Sequence, residues 1–567
     1  MAKNRKPEQP QKKLRIALIV DSSVSSKYVY DLVTWEKRQS NLEISHLIIQ
    51  KIPQEAQKNI FSKIGNVLKK HGLVKIIELV LYRIIYIVES KRLKNTQYKD
   101  HLSKFDLNEY VRDSISVQPI ISKSGFVYRY EESDIDKIKK LKFHILIRCG
   151  SGILRGEILN AAKFGIISFH HADNRINRGV PAGFWEVYLK QDATGFTIQQ
   201  LTEEIDGGNV LFRGQVTTKR TFLFNQAILY EKSNYYLKKF LFDVAKSFEL
   251  PNHLDSHPYF NKLYKNPTLG VLVSYFIRLL IMTIDALINY KLLKKHYRWG
   301  VAFAFSDWKN LVMWRGIKIK HPPNHFLADP FVISDNGENY CFVEDYDYST
   351  SRGHIAIYRL FDRGSRRIGK AMIEPFHMSY PYVFEYQSKY YMCPETSENK
   401  DIRLYECESF PKKWKLKKVI MSNLSAVDTT IFEKDNKWWL FTNINPSNTG
   451  DNTTELFIYY SDNPLTDNWI PHKKNPIFVD SKKARMGGIL FDKNMIYRVS
   501  QYQGFENYGK FSYINQIIDL SAENYKEETL CKIEPNFFDN LYGTHHIHSN
   551  GEITVFDYLE KIKRKNI

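Results

Sequence analysis

The second half of the chain repeats one short pattern five times. From about Trp299 onward, helical patterning gives way to short alternating strands that are dense in tyrosine and tryptophan and separated by Asn, Asp and Gly turns. Adjacent repeats lie about 48 to 60 residues apart, which is the length of one four-stranded blade. The repeats begin at residues 327–332, 379–383, 426–430, 486–490 and 543–547. This spacing predicts an all-β five-bladed propeller over residues 299–567.

The first half has the texture of an α/β domain. At 567 residues the chain is longer than one core usually holds, so two or three domains are expected. The aliphatic run at residues 14–21 is typical of a buried parallel strand that opens an α/β sheet. We therefore expect a basic disordered tail at 1–13, a Rossmann-like α/β domain at 14–250 and a helical linker at 251–298 before the propeller.

Two apolar stretches raise the question of a membrane. Residues 73–88 fit either a core helix with a few exposed positions or an interfacial helix lying on a membrane. In the stretch at 269–293, Arg278 and Asp285 would each cost about 2.5 to 3.5 kcal/mol at a bilayer centre, which argues against a span. The second stretch is therefore expected to be a linker helix that touches a membrane surface.

Charge and cysteine usage limit the partners and the compartment. Lysine and arginine outnumber the acids by 82 to 62, which suggests an anionic partner such as a nucleotide-linked sugar or a lipid phosphate, or merely a lysine-rich proteome. Nucleic acid is not expected, because no RNA-binding motif is visible. The five scattered cysteines have no metal-ligand spacing, so we expect no metal and a reducing compartment. With no export signal visible, the expected location is the cytoplasm, at the inner face of the membrane.

The densest set of chemically useful side chains lies between residues 168 and 208. His170 stands at the end of a predicted strand, and Asp206 follows about 36 residues later in an Asp-Gly-Gly loop. A histidine and a carboxylate that meet in this way can form an imidazole–carboxylate couple for acyl or formyl transfer. The interpretation that these residues are structural or lie on the surface stays open.

Residues 143–210 resemble the catalytic core of the N10-formyltetrahydrofolate-dependent formyltransferases, the group that includes methionyl-tRNA and sugar N-formyltransferases. His170 matches the family histidine, Arg178 and Gly179 match its Arg-Gly, and Asp206 matches its aspartate. Ser168 stands where the family has asparagine. The resemblance implies N10-formyltetrahydrofolate as the cofactor and formyl transfer to the amine of a nucleotide- or lipid-linked amino sugar in surface glycan biosynthesis.

The resemblance also implies roles for individual residues. His170 would stabilise the oxyanion, Asp206 would orient it and handle the proton, and Ser168 with His171 would complete the pocket. Arg178 would shape its loop or contact the anion of the substrate. The expected folate-contacting loop consists of Cys149, Gly150, Ser151, Gly152, Ile153 and Leu154. Two alternatives remain: methionyl-tRNA as the acceptor, or a glycan-binding or glycosyltransferase-like protein whose formyltransferase scaffold is degenerate.

The second half resembles the five-bladed propellers of glycoside hydrolase family 43 and, more closely, the propeller-like domain of plant glucosamine inositolphosphorylceramide transferases. Asp329 matches the first-blade Asp-Pro that carries the general base in the hydrolases, whereas Tyr380 replaces the second-blade aspartate. Hydrolysis needs two carboxylates at a defined separation, so a sugar-binding or glycosyl-transferring propeller is favoured over a glycosidase. The residues expected to line the funnel and hold the glycan are Asp329, Glu344, Glu395, Asp428 and His545. The alternative is that Asp329 caps a turn.

Overall fold

The computed structural model describes residues 13–52, 60–204, 207–289 and 295–563. The chain divides into two compact units. The first unit contains Met1–Lys190, Thr194–Gly214 and Lys219–Arg278, and the second contains Gln191–Ala193, Gln215–Thr218 and Leu279–Ile567.

The first unit is a mixture of strands and helices. Its strands are β1 (Leu14–Val20), β2 (Val24–Ser26), β3 (Leu42–Gln50), β4 (Lys104–Asp106), β5 (Asp113–Val117), β6 (Pro119–Ile121), β7 (Val127–Tyr130), β8 (Ile145–Arg148), β9 (Ile153–Leu154), β10 (Ile166–His170), β11 (Ala193–Gln200) and β12 (Asn209–Thr217). The helices are α1 (Lys27–Glu36), α2 (Ile60–Leu93), α3 (Glu132–Lys140), α4 (Phe184–Tyr188), α5 (Phe222–Ser247) and α6 (Leu269–Leu287). Three of these elements extend into the second unit: β11 at residue 193, β12 at residues 215–217 and α6 beyond Arg278.

A seven-stranded sheet organises this unit, with strand order β12-β11-β10-β8-β1-β3-β5. The five strands from β10 to β5 are parallel, and β11 runs antiparallel to β10. The aliphatic strand β1 lies inside the sheet and is almost completely buried, as expected for a parallel strand covered on both faces. Among the described residues, no helix is both long and apolar enough to cross a membrane.

The second unit is built almost entirely of strands. They are β13 (Lys295–Ala304), β14 (Ile317–Lys318), β15 (His325–Asp335), β16 (Glu338–Asp347), β17 (Arg352–Phe361), β18 (Gly364–Met372), β19 (Ser379–Tyr386), β20 (Lys389–Glu395), β21 (Asp401–Ser409), β22 (Lys413–Ser422), β23 (Ala426–Lys434), β24 (Lys437–Ile444), β25 (Glu455–Ser461), β26 (Ile470–Pro471), β27 (Phe478–Val479), β28 (Met486–Asp492), β29 (Met495–Gly504), β30 (Asn507–Leu520), β31 (Tyr525–Ile533), β32 (Leu541–Gly543), β33 (Ile547–Ser549) and β34 (Thr554–Lys563).

These strands form five sheets over residues 295–563. Four of them are consecutive along the chain: β15 to β18, β19 to β22, β23 to β26 with β27 on β25, and β28 to β31. The fifth joins the two ends of the unit, in the order β14-β13-β34-β32, with β33 on β34. The first four repeats found in the sequence begin within two residues of the starts of β15, β19, β23 and β28, and the fifth, at 543–547, runs from the end of β32 to the first residue of β33.

The strands that begin these repeats, β15, β19, β23, β28 and β33, are called here the first strands. Each contacts the next, and β33 contacts β15, so that the five contacts close a ring. Buried aromatic and aliphatic side chains fill the space between neighbouring sheets, as where Phe384 and Tyr391 of one sheet pack near Trp438 of the next. The first strands are therefore held side by side by the packing of the sheets behind them.

Candidate functional site

A backbone irregularity recurs at the same point of three first strands. Asp329, Tyr380 and Asp428 have φ of 50°, 46° and 52°, and the strand register shifts at each of them. On the fourth strand the corresponding shift falls beside Gly488, at φ 126°. Non-glycine residues adopt this left-handed conformation at a cost, and a bulge turns a side chain out of the alternation of its strand. These bulges therefore aim Asp329, Tyr380 and Asp428 in directions that a regular strand would not allow.

The structure brings together all five residues that were expected to line the funnel. The charged groups of Asp329, Glu344, Glu395 and Asp428 lie close enough to influence one another, and His545 contacts Asp329. Sequence reasoning missed two further members, Arg485 and Tyr508. We call the following set the central cluster: Asp329, Glu344, Glu395, Asp428, Arg485, Tyr508 and His545.

Arg485 is the cation at the centre of this cluster. Its Nε lies 2.6 Å from Asp428 Oδ2 and its Nη2 lies 3.3 Å from Asp428 Oδ1, which is a two-point ion pair. The guanidinium lies over the ring of Tyr508, 5.1 Å from its centroid. Burial opposes the charge, but Asp428, Tyr508 and Glu395 together raise the pKa of Arg485 above its ordinary value. Arg485 thus supplies a fixed positive charge among carboxyl groups.

His545 is a second cation. Its Nε2 lies 3.3 Å from Asp329 Oδ1, and its Nδ1 lies 2.8 Å from Asp557 Oδ2. Burial favours the neutral ring, but the two carboxylates outweigh burial and raise the pKa of His545 to about 10. Ligand atoms of Asp329, His545 and Asp557 lie within 4.8 Å of one another, a donor set that could hold a metal ion. A pKa of about 10 keeps the imidazole protonated at neutral pH, so a metal ion would have to displace that proton before His545 could act as a ligand.

The carboxyl groups of the cluster have pKa values shifted in opposite directions. Burial, followed by the charges of Asp329 and Glu395, raises the pKa of Glu344 well above its ordinary value. Burial also raises the pKa of Asp428 to about 7, although Arg485 opposes the rise. At Asp329 burial acts in the same upward direction, but the contact with His545 prevails and lowers the pKa. The site thus favours the protonated form of Glu344 and the ionised form of Asp329.

Glu344 and Asp329 together form a pair that suits proton transfer. A carboxylic acid and a carboxylate in one site, with pKa values pushed apart by their surroundings, are the pattern of a proton donor and a proton acceptor. Glu344 pairs with Ala328 across the strands, so that it lies next to Asp329 in the sheet. Gly353 keeps room for the acid, since a Cβ there would lie 2.8 Å from Glu344 Oε1 and 2.6 Å from the carbonyl oxygen of Met378.

In the first unit, the structure places Ser168, His170 and His171 at the end of β10. His170 Nε2 lies 2.8 Å from the carbonyl oxygen of Asn177, and Ser168 Oγ donates to the carbonyl of Phe169 at 3.1 Å. His171 stacks with Phe169 and with Tyr230, at 5.1 and 3.9 Å between ring centroids, and burial lowers its pKa to about 3. His171, but not His170, is among the residues that line a cavity of about 230 Å³. Asp206 lies outside the described residues.

The segment expected to contact folate is divided between a cavity and the core. Cys149 and Gly150 line a cavity of about 230 Å³ that is also lined by His171. Ile153 and Leu154 form β9, which pairs with β7.

Ser151 and Gly152, which lie between these two parts of the loop, are held by other contacts. Ser151 donates its backbone N–H to Asp21 Oδ1 at 2.9 Å, and a Cβ at Gly152 would meet the ring of Tyr128. The latter part of the loop is therefore committed to packing.

Arg178 and Gly179 have local structural contacts. Arg178 Nε donates to the carbonyl oxygen of Asn174 at 2.9 Å, and its guanidinium lies 4.8 Å from the ring centroid of Tyr259. A Cβ at Gly179 would lie 2.0 Å from the carbonyl oxygen of Tyr264, so only glycine fits. These contacts account for the Arg-Gly pair as part of the packing of its loop.

Part of the second unit is similar in sequence to known proteins. The family model of the N-terminal region of glucosamine inositolphosphorylceramide transferase 1 matches residues 310–539. The enzyme of that name from Arabidopsis thaliana is 38% identical over 211 residues, which are 36% of this chain and 27% of the relative. That from Oryza sativa subsp. japonica is 36% identical over 210 residues, 36% of this chain and 28% of the relative. The match thus spans less than a third of the length of these relatives.

Solved structures give only distant likenesses. The catalytic domain of the Coprinopsis cinerea GH62 α-L-arabinofuranosidase is 11% identical with a TM-score of 0.33, covering 46% of this chain and 97% of that one. Glycinamide ribonucleotide transformylase 1 from Symbiobacterium toebii is 11% identical with a TM-score of 0.27, covering 43% of this chain and 94% of that one. At these TM-scores neither likeness carries a functional inference.

The predicted formyltransferase class is wrong, and so is N10-formyltetrahydrofolate as the cofactor. The relatives that match at 36–38% identity are named as glucosamine inositolphosphorylceramide transferases. The prediction failed because it depended on a few short matches, and two of them have local structural explanations: His170 contacts a backbone oxygen, and Gly179 permits a close backbone approach. The alternative prediction of methionyl-tRNA as the acceptor is wrong for the same reason, because it required a formyltransferase.

Proposed function

We propose that the second unit is a five-bladed propeller that binds a glycan at its central cluster, and that the protein has a glycosyltransferase-like role in glycan biosynthesis. The observation that supports the proposal most strongly is that the central cluster lies almost entirely within the matched part of the sequence. Residues 310–539, which match the relatives, contain every member of the central cluster except His545. The ring of contacts among the first strands supports the propeller arrangement.

The groups of the central cluster suit a sugar. Sugar hydroxyls both donate and accept hydrogen bonds, and the ionised carboxylate of Asp329 accepts them while Arg485 donates. Tyr508 exposes 41% of its surface, which leaves an aromatic ring for the C–H face of a sugar ring. A ligand of this kind satisfies the polar atoms of the cluster and covers the ring at the same time.

The same groups provide the proton transfers that glycosyl transfer requires. The bond between the anomeric carbon and the leaving oxygen breaks while a bond to the acceptor oxygen forms. The acceptor hydroxyl must lose a proton, and the phosphate oxygen that leaves with the nucleotide gains a negative charge that must be stabilised or protonated. Asp329, ionised, takes the proton from the acceptor, and Glu344, in its protonated form, gives its proton to the leaving phosphate oxygen. The names of the relatives point to a sugar joined to an inositol phosphate as the substrate class.

A transfer assay tests this proposal. The full chain is incubated with a panel of nucleotide-linked hexosamines and an inositol phosphate acceptor, and mass spectrometry follows the addition of one hexosamine. We expect product from the wild type and from Glu338→Gln, a control at the other end of β16 that pairs with Arg359. Asp329→Asn and Glu344→Gln should yield at least about a hundredfold less, the usual loss on removal of a general acid or base.

Each outcome of the assay has a meaning. Binding of the sugar without product would support the glycan-binding role and contradict the transfer step. Neither binding nor product with any member of the panel would contradict the whole proposal.

We also propose that α2 and α6 contact the surface of an anionic membrane. Apolar side chains recur every three or four residues on each helix and are 41–63% exposed. They are Leu73, Ile77, Val80, Ile84 and Ile87 on α2, and Val273, Phe276 and Ile277 on the part of α6 that belongs to the first unit. The last turn of α2 carries Lys91 and Arg92, which suit acidic lipid headgroups. Hydrogen bonds from Leu269 N to Glu78 and from Tyr275 to Glu89 join the start of α6 to α2.

A further inference from the structure

A cavity of about 650 Å³ lies within the second unit, apart from the central cluster. One wall is the face of β29, β30 and β31, and the other is the segment from Lys474 to Lys483, which includes β27. None of the residues that line it belongs to the central cluster. Its ligand would therefore be additional to the glycan proposed above, and the inference does not depend on that proposal.

The cavity carries an excess of positive charge. Lys474, Lys482, Lys483 and Lys526 line it, and Lys526 lies 2.7 Å from Glu528. The other three form no ion pair with any residue in the described part of the chain. Three ammonium groups on one wall are thus left without a carboxylate partner among the described residues.

The acidic groups of the cavity do not cancel this charge. Glu527 is bound by the buried Arg498, with Nε and Nη2 at 2.7 and 2.6 Å, and it also accepts from the Tyr525 hydroxyl at 2.5 Å. Asp480 Oδ1 accepts the backbone N–H of Lys482 at 3.0 Å. The Glu527 charge is therefore neutralised by Arg498, and a single carboxylate faces the three lysines.

Aromatic rings form the apolar part of the cavity. Phe478 and Tyr525 meet edge to face, with their centroids 6.0 Å apart, and Tyr502 and Tyr513 stand on the sheet opposite. Lys483 Nζ lies 4.4 Å from the ring centroid of Phe478, which places a cation beside an aromatic surface. A ligand that fits must carry both an anion and a ring.

We propose that this cavity binds the phosphate ester of a sugar or cyclic polyol. The phosphate contacts the ammonium groups of Lys482, Lys483 and Lys474, while the ring packs against Phe478 and the tyrosines. Such a group occurs in soluble sugar phosphates and nucleotides and in the headgroups of phosphorylated lipids, and both sources share the chemistry that this cavity recognises.

Calorimetric titration of the full chain tests the site. The probes are myo-inositol 1-phosphate, uridine diphosphate, inorganic phosphate and unphosphorylated inositol. We expect at least one phosphate ester to bind, and Lys482→Ala and Lys483→Ala each to weaken it about tenfold, the loss typical of one charged hydrogen bond. Lys473→Ala is the matched control, because this neighbour pairs with Glu523 and does not line the cavity, and it should change nothing. Failure of both esters to bind, or equal affinity in all three variants, would overturn the proposal.

Two further arms identify the source and separate this site from the central one. Vesicles of phosphatidylcholine that contain phosphatidylinositol distinguish a lipid headgroup from a soluble ester, and the wild type is compared on them with Lys483→Ala. Weaker binding by Lys483→Ala assigns the headgroup to this cavity, whereas equal binding assigns the vesicle contact to α2 and α6 and leaves the soluble ester as the ligand. Glu344→Gln should leave phosphate binding unchanged, because burial favours the neutral acid that the amide resembles and the residue does not line the cavity. A loss with Glu344→Gln as large as with Lys483→Ala would place the phosphate at the central cluster and overturn the inference, whereas loss of glycan binding alone would bear only on the proposed function.

Discussion

Arg485 and Asp428 stand 57 residues apart in the chain and form a buried two-point ion pair, with Arg485 Nε 2.6 Å from Asp428 Oδ2. The pair joins the third sheet of the second unit, through β23, to the segment that leads into β28 of the fourth. Because the two groups come from different sheets, the ion pair depends on the arrangement of the first strands and also helps to maintain it.

Loss of one partner of this pair should destabilise the second unit. Arg485→Met leaves the Asp428 carboxylate buried without its cation, and we expect a loss of about 3 to 5 kcal/mol in the free energy of unfolding. Urea denaturation followed by tryptophan fluorescence measures it. Asp435→Asn, which removes the exposed partner of Lys434, should cost at most about 1 kcal/mol. Similar effects of both variants would show that the buried pair has no special role.

The stability of the second unit should fall as the pH rises through the titration of His545. The carboxylates of Asp557 and Asp329 raise the pKa of this histidine from 6.5 to about 10. The folded state therefore gains stability that is fully present below pH 6.5 and lost as the pH approaches 10. Thermal midpoints measured between these limits should decrease, and His545→Gln should flatten the profile. A His545 ring that titrates near 6.5 by NMR would contradict the expectation.

The sequence was informative where a physical pattern repeated and uninformative where a contact depended on folding. The five repeats, with their aromatic second strands, located the five sheets because each repeat has to bury the same kind of face. Asp329 was singled out because it matches the first-blade Asp-Pro of the hydrolases, and Asp428 because it lies in the third repeat.

Arg485 was missed because an arginine in a lysine-rich chain carries no signal of burial until Asp428 and Tyr508 are brought against it. In the first unit, His170 and the Arg-Gly pair were given chemical roles that the comparisons do not support. Short motifs of this kind also arise from backbone contacts, which a sequence does not reveal.

Space beside Glu344 should be needed for ligand binding. A Cβ at Gly353 would lie within 2.8 Å of Glu344 Oε1 and within 2.6 Å of a backbone oxygen, so Gly353→Ala must displace the acid or the chain. We expect a loss of about 1 to 3 kcal/mol of stability and weaker glycan binding, measured by denaturation and calorimetry. Gly270→Ala, with no atom within 4 Å of the added Cβ, serves as the control and should retain both.

Charged substitutions on the exposed helical faces should abolish membrane contact. Ile84→Asp and Ile277→Asp replace half-exposed aliphatic side chains on α2 and α6 without removing a core residue. In co-sedimentation with vesicles containing acidic lipid, the wild type should pellet and the double variant should stay in the supernatant. Ile518→Asp, at an exposed position of β30, should behave as the wild type. If the wild type fails to pellet, or forms a dimer that the double variant loses, the surface is not a lipid-binding one.

Calorimetric titration of the protein with a glucosamine-containing inositol phosphate, compared between the wild type, Asp329→Asn and Glu338→Gln, tests most directly that the central cluster binds a glycan. We expect binding by the wild type and by Glu338→Gln, and about tenfold or greater weakening in Asp329→Asn, because the ligand loses a charged hydrogen-bond acceptor. Equal affinity of the three proteins, or no binding by the wild type, would contradict it.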